Sequence, residues 1–130
     1  MKLCMVGTGY VGLVSGTCFS DLGNKVYCVD KDKIKIDKLI AGISTTYEPG
    51  LDEIIKKTYD AGRLIFTNDL SNAVNNSDII FICVGTPNKK GSQSVDLSYV
   101  FNSLKEISKV SKQKKIIVTK STVPVGTGDD

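Results

Sequence analysis

The sequence has no histidine and no tryptophan, and only three prolines and a single arginine, Arg63, among 130 residues. Without histidine, Ser–His and Cys–His nucleophilic pairs are impossible and the commonest general base is missing. A zinc site is not expected either. Cys4, Cys18, Cys28 and Cys83 are separated by 14, 10 and 55 positions, and none forms a CxxC pair. With stretches such as Leu3-Cys4-Met5-Val6, Tyr27-Cys28-Val29 and Phe81-Ile82-Cys83-Val84 around them, the four are expected as reduced, buried small hydrophobes. Long apolar runs are missing too. None approaches the ~18–20 residues of a membrane span, and Gly7 interrupts the apolar opening too soon for a secretory signal. Charge blocks are also absent: 17 basic and 14 acidic residues leave a net +3, with the lysines scattered along the chain. No nucleic-acid or membrane partner is expected, and the location expected is cytoplasmic.

What is present is ordinary globular material, 41% hydrophobic and 24% charged, enough for one domain with a real core. Short apolar runs alternate with longer amphipathic ones. Strands are expected at Lys2–Val6, Val26–Val29, Leu64–Thr67, Asp78–Val84 and Lys115–Thr119. Helices are expected at Tyr10–Leu22, Asp32–Ala41, Leu51–Tyr59, Asp69–Asn75 and Leu97–Val110, the last with Asp96 as N-cap. Glu48-Pro49-Gly50 carries Pro and Gly at the central positions of a type II turn. This alternation gives an α/β domain with a mostly parallel sheet and right-handed crossovers.

Gly7-Thr8-Gly9-Tyr10-Val11-Gly12 is a GxGxxG motif that directly follows the first strand and opens the first helix. In that context the glycines have a mechanism. Gly7 permits the tight turn, Gly9 lets a diphosphate approach the backbone, and Gly12, helped by Gly16, lets helix and strand pack closely. Free N–H groups and the helix dipole, presented by Gly9, Tyr10, Val11 and Gly12, then face the phosphates. Asp30 ends the second strand 18 residues past Gly12, where a carboxylate accepts hydrogen bonds from an adenosine ribose. A carboxylate there repels a 2′-phosphate and favours NAD over NADP, a preference that Lys31 and Lys33 weaken slightly; the competing reading of Asp30 is a helix N-cap. Val84-Gly85-Thr86-Pro87 and Lys120-Ser121-Thr122-Val123-Pro124 follow the fourth and fifth strands at the same edge. A dinucleotide across that edge puts its nicotinamide half near Thr86 and Thr122. The fold class is a Rossmann-type, doubly wound α/β domain.

Four segments together resemble the N-terminal, NAD-binding domain of the UDP-glucose/GDP-mannose dehydrogenase family. They are residues 6–13, Tyr47-Glu48-Pro49-Gly50-Leu51-Asp52-Glu53, Cys83–Pro87 with Asp96–Val100, and Lys120–Thr127. The resemblance implies an NAD-dependent, four-electron oxidation of the C6 alcohol of UDP-glucose to the carboxylate of UDP-glucuronate. Carried over, Val11, Asp30, Lys35, Thr86 and Thr122 match positions that contact NAD, and Thr122 one that positions water or substrate. Thr45-Thr46 stands where the family often has a proline before the Glu-Pro-Gly turn.

The family's catalytic cysteine and its assisting lysine, asparagine, aspartate and glutamate have no match in this chain. Its central helix, dimer contact and UDP-sugar-binding domain are likewise unmatched. The expectation is therefore one NAD-binding domain over residues 1–130, ending before a sixth strand and inactive alone, from an enzyme family that forms homodimers. Two other readings stand beside it: a sister enzyme acting on GDP-mannose or a UDP-N-acetylhexosamine, and a non-catalytic NAD-binding module.

Overall fold

The computed structural model describes residues 1–130. Five strands, β1 (Lys2–Val6), β2 (Lys25–Val29), β3 (Leu64–Thr67), β4 (Ile79–Ile82) and β5 (Ile116–Thr119), form one sheet in the order β3-β2-β1-β4-β5. Every pairing is parallel, so the sheet is wholly rather than mostly parallel. The order steps outward from β1 in both directions, and the switch point lies between β1 and β4.

Period-two alternation of small and branched apolar residues builds two cores from one sheet. Leu3 and Met5 of β1 with Val26 and Cys28 of β2 face one side, and Cys4, Val6, Tyr27 and Val29 face the other. The first side is covered by α1 (Tyr10–Asp21), α2 (Lys33–Ile40) and α3 (Leu51–Asp60), through Leu13, Ile36, Leu39, Leu51 and Ile55. The second is covered by α4 (Leu70–Asn75) and α5 (Ser98–Val110), through Ala73, Val74, Val100 and Ile107. Gly16 explains how close α1 lies to the sheet: a Cβ there would stand 2.9 Å from the Cys28 sulfur and 3.0 Å from Met5 Cγ.

Helix starts follow local chemistry. The Asp32 carboxylate accepts the Lys35 N–H at 3.1 Å, and Asp69 accepts that of Asn72 at 3.0 Å, each capping the helix that follows. Before α3 the Leu51 N–H donates to the Glu48 carbonyl at 3.0 Å, and Gly50 sits at φ +80°, ψ −7°, which completes the type II turn. The lone arginine has a structural task, its Nε donating to the Ser20 carbonyl at the end of α1, 3.0 Å away.

Three expectations, and the competing reading of Asp30 as an N-cap, need correction. Cys18 is exposed, not buried, because α1 turns Leu13, Gly16, Thr17 and Ser20 inward and Cys18 falls outside that stripe. Strand β4 runs over Ile79–Ile82, short of the expected Asp78–Val84, with Ile80 and Ile82 fully buried while Ile79 and Phe81 are partly exposed. The α2 cap is Asp32, so Asp30 is free of that duty. At α5 the Asp96 carboxylate takes the Ser98 N–H at 2.9 Å while Leu97 is the first flanking residue, moving the boundary by one position.

Candidate functional site

The β1-to-α1 turn forms a cradle. Gly7 lies at φ +105°, donates its N–H to the Val29 carbonyl at 2.8 Å, and leaves no room for a side chain: a Cβ would stand 2.8 Å from the Cys83 carbonyl oxygen. Gly12 is tighter still, because its Cβ would fall 1.9 Å from the Gly7 oxygen. Gly9 differs. Nothing stands within 4 Å of its missing Cβ, so the space beside it is open. Backbone N–H groups of Tyr10, Val11 and Gly12 find no acceptor within the chain, and no acidic side chain occupies the first turn of α1. Such an end carries partial positive charge and uncommitted donors, the requirements for holding an anion.

Asp30, at the end of β2, is the most heavily engaged carboxylate of the cavity. Its Oδ2 accepts the Thr8 N–H at 2.9 Å and the Thr8 hydroxyl at 2.8 Å, while Oδ1 accepts the Asp32 N–H at 3.0 Å. The Lys35 ammonium lies 3.9 Å from Oδ2. Burial pulls the pKa of Asp30 upward, but the Asp32 and Thr8 N–H groups, the Thr8 hydroxyl and Lys35 together outweigh it. The carboxyl is held below its ordinary value and stays ionised.

These elements surround one cavity of about 890 Å³ along the carboxyl edge of the sheet. The structure brings Gly7, Gly9, Tyr10, Val11, Asp30, Lys35, Thr86 and Thr122 to its wall. Gly12 does not reach the wall and lies underneath, against Gly7 and Cys83. The segment after β5 is fastened to β4: Lys120 and Ser121 donate N–H groups to the Ile82 carbonyl at 2.9 and 3.0 Å, and the Ser121 hydroxyl donates to Val84 at 2.7 Å. Thr86 and Thr122, in the segments so joined, both line the cavity. No three Cys, Asp or Glu side chains cluster to hold a metal ion.

Four features escape sequence reasoning. Thr8, wholly buried, carries the link to Asp30. Tyr99, Asn102, Ser103 and Glu106 of α5 line the same cavity as the glycine loop. Their spacing of three and four positions is a second, polar stripe beside the apolar one, and that was the available signal. Lys31 is held by Glu106 at 2.7 Å, an ion pair across the cavity mouth. The Tyr10 hydroxyl donates to Glu48 at 2.7 Å.

Comparison with known proteins agrees with this geometry. The profile described as "UDP-glucose/GDP-mannose dehydrogenase family, NAD binding domain" matches residues 1–130. The chain is 52% identical over 130 residues to a UDP-glucose 6-dehydrogenase of Rhizobium meliloti (strain 1021), covering 100% of this chain and 30% of that protein. It is 52% identical over 127 residues to a UDP-glucose 6-dehydrogenase of Bacillus subtilis (strain 168), covering 98% and 27%. Among solved structures, a ternary complex of GDP-mannose dehydrogenase from Pseudomonas aeruginosa superposes with a TM-score of 0.94 at 39% identity, covering 100% of this chain and 30% of that one. The chain thus spans about 30% of the length of these relatives.

Proposed function

The chain belongs to the UDP-glucose/GDP-mannose dehydrogenase family, and from that membership we propose that its cavity is the NAD site of a nucleotide-sugar dehydrogenase. One observation carries the proposal: the uncommitted N–H groups of the first turn of α1 and the ionised Asp30 carboxylate lie in one cavity. The diphosphate rests on the N–H groups of Tyr10 and Val11, over the open space at Gly9, with Gly12 packed beneath them. The adenosine ribose donates to Asp30, with Lys35 alongside, and the nicotinamide half extends toward Thr86 and Thr122. NAD, when bound, supplies the hydride acceptor; the residues of this chain bind and orient it. Residues 1–130 act as a single NAD-binding domain.

For the complete enzyme we propose oxidation of the C6 alcohol of UDP-glucose to the carboxylate, in two hydride transfers. Support for UDP-glucose comes from the 52% identity to two UDP-glucose 6-dehydrogenases. Thr122, exposed at the nicotinamide end, is proposed to position water or substrate. A homodimer and a cytoplasmic location, where buried thiols such as Cys4 and Cys28 stay reduced, complete the proposal. The thiol that lines the cavity is Cys83, and burial pushes its pKa up to about 11, with Lys120 opposing only in part. A protonated thiol is a poor nucleophile, so this chain is proposed to bind the cofactor without turning over substrate.

Calorimetric titration with NAD tests the assignment. Binding is expected, and Asp30→Ala should weaken it by ~1.5–3 kcal/mol through loss of charged hydrogen bonds. Unchanged affinity in that variant removes Asp30 from the site. Sustained NADH production from UDP-glucose by this chain alone overturns the inactive reading.

A further inference from the structure

We infer that Thr8 is a positioning residue for the cofactor: its buried hydroxyl and its N–H fix the Asp30 carboxylate at the ribose end of the cavity. The inference rests on the NAD assignment above and adds a residue that the GxGxxG pattern leaves unspecified.

Three observations carry it. Thr8 is fully buried, and its hydroxyl would be costly to bury without a partner. The partner is specific, because both Thr8 donors converge on the same oxygen, Oδ2 of Asp30, at 2.9 and 2.8 Å. A carboxylate rotates softly about its last torsion. Of the side-chain groups near it, the Thr8 hydroxyl donates a hydrogen bond, whereas Lys35 stands back at 3.9 Å. The other end of Asp30 is already fixed: its N–H donates to the Thr67 carbonyl at 3.3 Å, and its carbonyl accepts the Asn68 amide at 2.9 Å. With the Asp32 N–H on Oδ1, three of about four acceptor positions of the carboxylate are filled. The unfilled position belongs to Oδ1, and that oxygen is assigned to the ribose hydroxyl.

The consequence is preorganisation. One side chain joins the loop that faces the diphosphate to the carboxylate that faces the ribose, so the two contacts form as a rigid unit and less freedom is lost on binding. The ionisable groups around Asp30 do not duplicate this role. Lys31 is occupied by Glu106 of α5, Asp32 caps α2, and Lys35 contributes charge at a distance.

Four proteins decide the matter: the unaltered chain, Asp30→Ala, Thr8→Val and Thr8→Ser. Valine keeps the shape and removes the hydroxyl, whereas serine keeps the hydroxyl. Thr8→Val is expected to raise the Kd for NAD about tenfold, and Thr8→Ser is expected to bind within about twofold of the unaltered chain. A pH series separates positioning from packing. In the unaltered chain NAD affinity is expected to fall at a lower pH than a free aspartate would give; in Thr8→Val the fall begins at higher pH, because a donor that favours the ionised form is gone.

If the unaltered chain fails to bind NAD, or Asp30→Ala binds as well as the unaltered chain, the NAD assignment itself fails. If Asp30→Ala is weakened while Thr8→Val retains full affinity and an unshifted profile, the Thr8 inference alone fails. Equal loss in the valine and serine variants also overturns it. Should the valine variant not fold, Thr8→Ala takes its place: NAD affinity weakened in Thr8→Ala and kept in Thr8→Ser supports the inference, and equal affinity in the two overturns it.

Discussion

The Tyr10 hydroxyl donates to the Glu48 carboxylate at 2.7 Å, joining the first turn of α1 to the type II turn that launches α3. The two residues are 38 positions apart, and the bond lies at the rim of the cavity, where the Tyr10 ring is exposed. The Glu48-Pro49-Gly50 turn thereby has a tertiary contact as well as a local geometry. The hydrogen bond to Glu48, and then the negative charge of that group, raise the pKa of the Tyr10 phenol. Replacing Glu48 by Gln removes the charge. The phenolate absorbance assigned to Tyr10, obtained by difference from Tyr10→Phe, should then appear at lower pH; an unmoved midpoint would show that the pair does not persist in solution.

Gly12 and Gly9 share one motif and should respond oppositely to a methyl group. In Gly12→Ala the new Cβ meets the Gly7 oxygen at 1.9 Å, backbone that cannot step aside, and a loss of about 3 kcal/mol is expected in urea unfolding. Gly9→Ala meets nothing within 4 Å and has an ordinary φ of −69°, so unfolding should change by less than about 1 kcal/mol. Its methyl group occupies the open space beside the N–H groups, and NAD affinity should drop even though the fold is intact.

The Lys31–Glu106 pair is exposed, at 78% and 39%, so Glu106→Gln should alter stability by no more than about 1 kcal/mol. Its effect belongs to cofactor choice. Lys31 adjoins Asp30, and a released ammonium there can attract a 2′-phosphate. NADP affinity should rise about fivefold in Glu106→Gln with NAD affinity unchanged. Parallel titrations with both cofactors check this; equal shifts for the two would assign the pair to general packing.

Asp30 also makes the fold sensitive to acid. Its carboxyl is held below the ordinary value in the folded chain, so the folded state binds its proton less readily than the unfolded chain does. The stabilisation is fully present above the unfolded pKa and is lost as pH falls through the folded one. Asp30→Asn should flatten that part of the stability-versus-pH curve, measured by thermal unfolding in a pH series.

Thiol accessibility offers a check on burial. Cys4, Cys28 and Cys83 are buried and Cys18 is exposed. Burial raises the pKa of Cys4 to about 12, while Cys28 is raised as well. An aromatic disulfide reagent should modify one thiol quickly in the native chain and four in denaturant; Cys18→Ser should abolish the fast phase.

Sequence reasoning reached the fold because its strongest signals are local. Strands such as Val26–Val29 are branched, apolar and bounded by turn residues, and each helix start has a carboxylate or a glycine whose effect is confined to a few positions. The glycine loop and Asp30 were legible because their spacing reflects a backbone requirement. Thr8 was not, since its partner lies 22 residues away and nothing in the order of residues announces a hydroxyl turned toward it. Glu106 stayed hidden for a similar reason, its ion pair spanning 75 positions. Cys18 misled because an apolar neighbourhood in sequence does not specify which side of a helix faces water.

Strand β1 is paired on both sides, to β2 and β4, and its Cys4 and Met5 are wholly buried. Strand β5 pairs on one side, to β4, with Ile116 and Ile117 exposed. Amide hydrogens of β1 should therefore exchange with solvent only when the whole domain opens, whereas those of β5 exchange through local fraying. The glycine loop springs from the slow-exchanging strand. Thermal loosening at the margin of the sheet should therefore leave the anion cradle intact.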